Sequence, residues 1–186
     1  MHCAVILHAP IGGGKTTTAA RVAERVKADG LKVAGVLSRR VIEGGAYPSY
    51  EIVNLVTGEV TPLVKPAEIA EGDDWESHGN PVYRFSKKGF HAANLALSKA
   101  AEAMDRDTVV FVDEYGRLES QGMGIHVGAV SVAEALRGGG VAVYLCRDDK
   151  VPEVANLLKG RADRVFTLEA GDSDALLRIV LGCSKL

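Results

Sequence analysis

The chain has 186 residues, enough for one domain with a proper core. Hydrophobic residues make up 47% and charged residues 25%, with a formal net charge of −2. That balance is ordinary for a globular protein and offers no basic stripe for nucleic acid. The cysteines Cys3, Cys146 and Cys183 form no C-x-x-C pair, and no apolar run is long enough for a membrane span. Neither a zinc site nor a disulfide framework is suggested, and a reduced, cytoplasmic setting is expected.

In chain order, the apolar run Ala4-Val5-Ile6-Leu7 predicts a buried strand. A tight loop follows, Ala9-Pro10-Ile11-Gly12-Gly13-Gly14-Lys15-Thr16-Thr17. It fits the phosphate-binding pattern G-x-x-x-x-G-K-[ST], with Ala9 in place of the first glycine. Phosphate oxygens need converging backbone N–H groups. Glycines without Cβ let the backbone approach and take positive φ. Lys15 is then placed for the β- and γ-phosphates and Thr16 for a Mg²⁺ ion, at the positive end of the following helix. That helix is expected over Lys15 to Ala28, with Ala19, Val22, Ala23 and Val26 on one face and Gly30 as its stop.

Lys32 to Ser38 reads as a second strand, ending at Arg39-Arg40. Those arginines are either a solvated pair or a phosphate contact. The stretch 39–64 predicts an antiparallel meander: a turn at Glu43-Gly44-Gly45-Ala46, a strand from Tyr50 to Val56, a turn at Thr57-Gly58, and a short strand Val60 to Val64 broken by Pro62. Residues 65–82 are polar and lack periodicity, which predicts a mobile loop. In it Trp75 is either an anchor or a flap over a base, and His78 is a loop residue. Tyr83 to Phe85 follows as a strand, and Ser86 caps a helix through Met104.

Thr108-Val109-Val110-Phe111-Val112 reads as a central parallel strand ending in Asp113-Glu114. With a phosphate loop upstream, Asp113 is the expected metal ligand and Glu114 the residue that polarises the attacking water. Arg117 either neutralises transition-state charge or pairs with Glu119. A glycine-rich run, containing His126, leads to a helix over Ser131 to Arg137. Val141 to Cys146 is the fourth strand of the parallel set, Pro152 starts another helix, Arg164 to Leu168 is the fifth strand, and Asp172-Ser173-Asp174 caps a last helix ending near Gly182. Arg161 is expected at the surface, with reach toward a nucleotide as the alternative.

Taken together, APIGGGKTT, GVLSRRV, EIVNLVTGEV and VVFVDEYGRLE resemble the THEP-type nucleoside-triphosphatase family of P-loop proteins over most of the length. The family's Asp-Glu-Ile-Gly-Lys-Met-Glu block here reads Asp113-Glu114-Tyr115-Gly116-Arg117-Leu118-Glu119. The resemblance implies an α/β P-loop fold, a three-layer sandwich with a mainly parallel sheet in the order 5-1-4-3-2, and the meander at one edge. One domain over 1–186 is expected. The implied activity is Mg²⁺-dependent hydrolysis of ATP, GTP or other nucleoside triphosphates with little base selectivity. The catalytic pair would be Lys15 and Glu114, the metal ligands Thr16 and Asp113. A small-molecule or nucleotide kinase uses the same loop and is the first rival. A nucleotide switch regulated by a protein partner is the second.

Overall fold

The computed structural model describes residues 2–42 and 47–184. The expected turn at Glu43-Gly44-Gly45-Ala46 lies outside the described residues. The first half forms β1 (Cys3–His8), α1 (Lys15–Ala28), β2 (Lys32–Val41), β3 (Ser49–Asn54), β4 (Val60–Pro66), β5 (Trp75–Glu76), β6 (Tyr83–Ser86) and α2 (Lys87–Glu102). The second half forms β7 (Thr108–Tyr115), α3 (His126–Ala135), β8 (Val141–Cys146), α4 (Val151–Leu158), β9 (Arg164–Glu169) and α5 (Ser173–Ser184).

The nine strands among the described residues join one sheet in the order β5-β6-β4-β3-β2-β7-β8-β1-β9. From β2 to β9 the neighbours are parallel; from β2 outward through β3, β4, β6 and β5 they are antiparallel. The sheet is therefore mixed rather than mainly parallel. Its full order differs from the five-strand order expected because four further strands continue it beyond β2.

Alternating side chains separate two apolar clusters on opposite faces. Ala4 and Ile6 of β1 point to α2, α3 and α4, where Leu97, Val132 and Leu158 pack. Cys3, Val5 and Leu7 point to α1 and α5, where Val22, Val26 and Val180 pack. At Gly35 in β2, φ is +94° and an added Cβ would lie 2.1 Å from the Phe111 carbonyl oxygen. Only glycine lets β2 approach β7 this closely, so this residue sets how near the second strand stands to the acid-bearing one.

Several boundaries move. β2 runs to Val41, which puts Arg39 and Arg40 inside a paired strand rather than at its end. β4 runs through Pro62 to Pro66. It tolerates the proline because β6 pairs only with Val64 to Pro66, leaving Pro62 unpaired on that side. The 65–82 stretch is not structureless: its Trp75–Glu76 pairs with Ser86 and Phe85. Asp74 Oδ1 accepts from Lys88 N at 2.9 Å, fastening this stretch to the start of α2. The Ser86 cap holds as expected, its hydroxyl accepting from Gly89 N at 2.8 Å. α3 begins at His126, five residues earlier than its pattern suggested, because α2 fixes its first turn. Asn94 donates to Gly124 O at 2.8 Å and accepts from Gly128 N at 2.8 Å.

Candidate active site

The loop after β1 closes on itself, with Gly13 N donating to Pro10 O at 3.0 Å. Gly12 and Gly14 sit at φ +76° and +81°, where side chains are strained. Gly13 is needed for space: its Cβ would stand 2.6 Å from that of Ala9, which is itself 2% exposed. α1 starts at Lys15 without a side-chain cap, so its first amides and positive end face the loop. The Lys15 ammonium donates to the Ala9 and Pro10 carbonyls at 3.0 and 3.1 Å. Ile11 and Thr17 are exposed at the loop mouth and in the first helical turn.

β7 lies two strands away from β1, across β8, and delivers the acids to the same end of the sheet. Asp113 is 2% exposed. Its Oδ2 accepts from the Thr16 hydroxyl at 2.7 Å and from Ser38 N at 2.9 Å, and its Oδ1 accepts from Glu114 N at 2.9 Å. Burial, and next the charge of Glu114, push the Asp113 carboxyl up to about 7 despite those three bonds. Glu114 is exposed and takes φ +76°, a conformation costly for a non-glycine residue. Such backbone clusters where a side chain must be aimed. Asp113 thus faces inward to Thr16 while its neighbour faces solvent.

The oxygens of Thr16 and Asp113 converge within hydrogen-bond reach of a phosphate-type loop, which suits a hard divalent cation. Among the described residues no group of three or more His, Cys, Asp or Glu could cage a metal. An ion held here would take its remaining ligands from phosphate and water, as Mg²⁺ commonly does.

The other candidates are placed less centrally. Arg39 is tied to Glu51 across the β2–β3 pair, Nη2 to Oε2 at 2.6 Å. Arg161 binds Glu134 of α3 at 2.7 Å and the Leu157 carbonyl at 2.6 Å. Trp75 is half-buried beneath the Lys65 ammonium, 5.7 Å from the ring centroid. Arg117 does not pair with Glu119; it donates to the His78 carbonyl at 3.0 Å.

Glu119 is 4% exposed and organises the loop after β7. It accepts from Gly116 N and from Ile125 N, both at 2.9 Å. Burial raises its carboxyl above the ordinary value against those backbone bonds. Sequence reasoning considered it only as a partner for Arg117, one of two alternatives, and gave it no role of its own. The surrounding Gly116, Gly122 and Gly124 were the available signal, since a loop rich in glycine needs an acceptor for its amides. A second feature missed is His8 at the end of β1, whose Nδ1 lies 2.8 Å from Asp148 Oδ1 beyond β8.

The NTPase family profile NTPase_1 matches residues 4–181. The nucleoside-triphosphatase THEP1 of Methanopyrus kandleri is 29% identical over 185 residues, 95% of this chain and 94% of that protein. The nucleoside-triphosphatase THEP1 of Methanocaldococcus jannaschii is 28% identical over 108 residues, and the match spans 58% of each chain. The crystal structure of THEP1 from the hyperthermophile Aquifex aeolicus superposes with a TM-score of 0.68 at 18% identity, covering 96% of this chain and 98% of that one. That likeness extends to the fold. The loop, the Asp-Glu strand end and the family match over 4–181 have one consequence: the chain belongs to the THEP-type nucleoside-triphosphatase family.

Proposed function

We propose that this chain is a nucleoside triphosphatase working as a single P-loop domain. In this reading residues Ala9 to Thr17 hold the triphosphate tail on backbone amides, and Lys15 carries charge to the β- and γ-phosphates. Thr16 and Asp113 hold a divalent ion, taken to be Mg²⁺. When bound, that ion neutralises developing charge on the phosphoryl oxygens. Glu114 accepts a hydrogen bond from the attacking water and takes its proton as the water oxygen bonds to the γ-phosphorus. Meanwhile the bond from that phosphorus to the β–γ bridging oxygen breaks, and the nucleoside diphosphate leaves with the electron pair. The nucleoside triphosphatase names of the relatives support the reaction class. Three buried, unpaired cysteines fit a reducing, cytoplasmic setting.

The observation that carries this reading is the 2.7 Å contact between Thr16 and Asp113, with Glu114 next in sequence and exposed. Broad base selectivity is the expectation that the family resemblance carries. Phosphate release from ATP, GTP, CTP and UTP, each with and without Mg²⁺, is the test. Release that is metal-dependent and similar for all four is the expected result. Release without divalent metal, or only with an added phosphoryl acceptor, overturns it.

A further inference from the structure

The sheet continues past Glu114 into a patch that the hydrolysis reading leaves unused. We propose that Arg40, Tyr50 and Tyr83 form a subsite for a second small ligand carrying a phosphate and a flat ring. The proposal rests on the nucleotide reading, because it places this ligand beyond the γ-phosphate.

The position follows from strand order. β2 flanks β7 on the side away from β8 and β1, so the patch and the phosphate loop lie on opposite sides of the Asp113-Glu114 strand end. Ser38 N holds Asp113 at 2.9 Å, and Arg40 lies two residues farther along β2 on the same face. Tyr50 stands directly opposite Arg40 in the β2–β3 register. Arg40 and Tyr50 thus stand on the strand pair beside the Asp113-Glu114 strand end.

Four observations give it the character of a recognition surface. First, the two arginines of β2 differ: Arg39 is neutralised by Glu51, whereas Arg40 is exposed and has no ion pair among the described residues. Second, Tyr50 and Tyr83 meet edge to face, centroids 6.4 Å apart at 64°, and Tyr47 adds a third ring 6.0 Å from Tyr83. Third, the β3–β4 register skips Leu63 beside Tyr50, the kind of bulge that re-aims a side chain next to a site. Fourth, the Ser38 hydroxyl on the same strand is buried without a partner. A guanidinium without an ion-pair partner among the described residues suits a phosphate, and half-buried phenol rings suit a planar group stacked or edge-on.

The test keeps the phosphate loop occupied. Protein saturated with Mg²⁺ and a non-hydrolysable triphosphate is titrated with AMP, and separately with UMP, in a calorimeter. Saturable binding of one monophosphate per chain is expected. Arg40→Ala and Tyr83→Ala should each weaken it ~10-fold or more, the loss expected for one charged or aromatic contact. Arg39→Ala should not weaken it. Unchanged triphosphate affinity in each variant verifies folding. Ribose 5-phosphate, which lacks the ring, should bind at least ~10-fold more weakly than AMP. No heat from the monophosphates on loaded protein overturns the subsite, as does equal affinity in Arg40→Ala or for ribose 5-phosphate. Failure of the triphosphate itself to bind overturns the nucleotide reading and the subsite together.

Discussion

The Thr16 hydroxyl donates to Asp113 Oδ2 at 2.7 Å across 97 positions of sequence, joining the first turn of α1 to the end of β7. Burial raises the Asp113 carboxyl to about 7, so the ionised form is opposed by its surroundings until a cation arrives. A folded-state value above the unfolded one means that the folded protein binds the extra proton, and stability from this group is lost as pH rises through about 7. Asp113→Asn keeps the shape and removes the charge. Asn has one acceptor oxygen for the Ser38 and Glu114 amides, so the variant loses a hydrogen bond at every pH. In thermal unfolding without metal its deficit against the wild type should shrink from pH 5 to pH 8, because only the wild type then carries the buried charge. The stabilisation by Mg²⁺ and triphosphate should be largely lost in the variant. A variant still stabilised as much as the wild type would remove Asp113 from the metal site.

Glu114 is held at φ +76° and exposed, next to a residue pinned by three hydrogen bonds. Glu114→Gln retains shape and backbone but cannot take a proton. Turnover should fall by ~10²-fold or more, the usual contribution of a general base, with triphosphate affinity retained. Single-turnover phosphate release together with equilibrium binding separates the two. Equal turnover would assign water activation elsewhere.

The phosphate loop is tight for a steric reason at Gly13, where an added Cβ would lie 2.6 Å from Ala9 Cβ and 3.0 Å from the Pro10 carbonyl oxygen. Gly13→Ala must therefore displace the backbone that presents the amides. Triphosphate affinity should fall ~10-fold or more, while global stability changes by only ~1 kcal/mol, since the loop is at the surface. Lys15→Ala removes the loop's cation together with its bonds to the Ala9 and Pro10 carbonyls, and both binding and turnover should drop. Calorimetric titration and urea unfolding check both variants.

Glu119 offers a pH test away from the phosphate loop. Burial raises its carboxyl above the ordinary value of about 4.5. The protonated form is therefore favoured in the folded state, and the stability it contributes is full below about 4.5 and lost as pH rises through the folded value. Glu119→Gln cannot titrate and has one acceptor oxygen for the Gly116 and Ile125 amides. The variant should be less stable by ~1–3 kcal/mol, the cost of an unsatisfied buried donor. Its deficit should be larger at pH 5 than at pH 7. Urea titrations at the two values decide it; a deficit that grows with pH contradicts the assignment.

The sequence by itself determined the features whose physics is local. Glycines at 12 to 14, Lys15-Thr16 and the following apolar stripe specify a loop and helix wherever they occur, because φ preferences and the 3.6-residue period act within a few residues. The β-branched run into Asp113-Glu114 announced a buried strand ending in acids in the same way. The Ser86 cap was legible for that reason too. What only the tertiary structure decided depends on partners distant in sequence. Arg117 binds the His78 carbonyl while Glu119 turns inward to two amides, a choice set by which backbone groups lie close and unsatisfied. α3 starts at His126 because Asn94 of α2 takes up the groups of Gly124 and Gly128. Pro62 stays in a strand because β6 stops short of it, and Arg40 meets Tyr50 only through the β2–β3 register. Pairing of this kind is selected by packing and hydrogen-bond satisfaction over the whole sheet, and no window of neighbouring residues contains it.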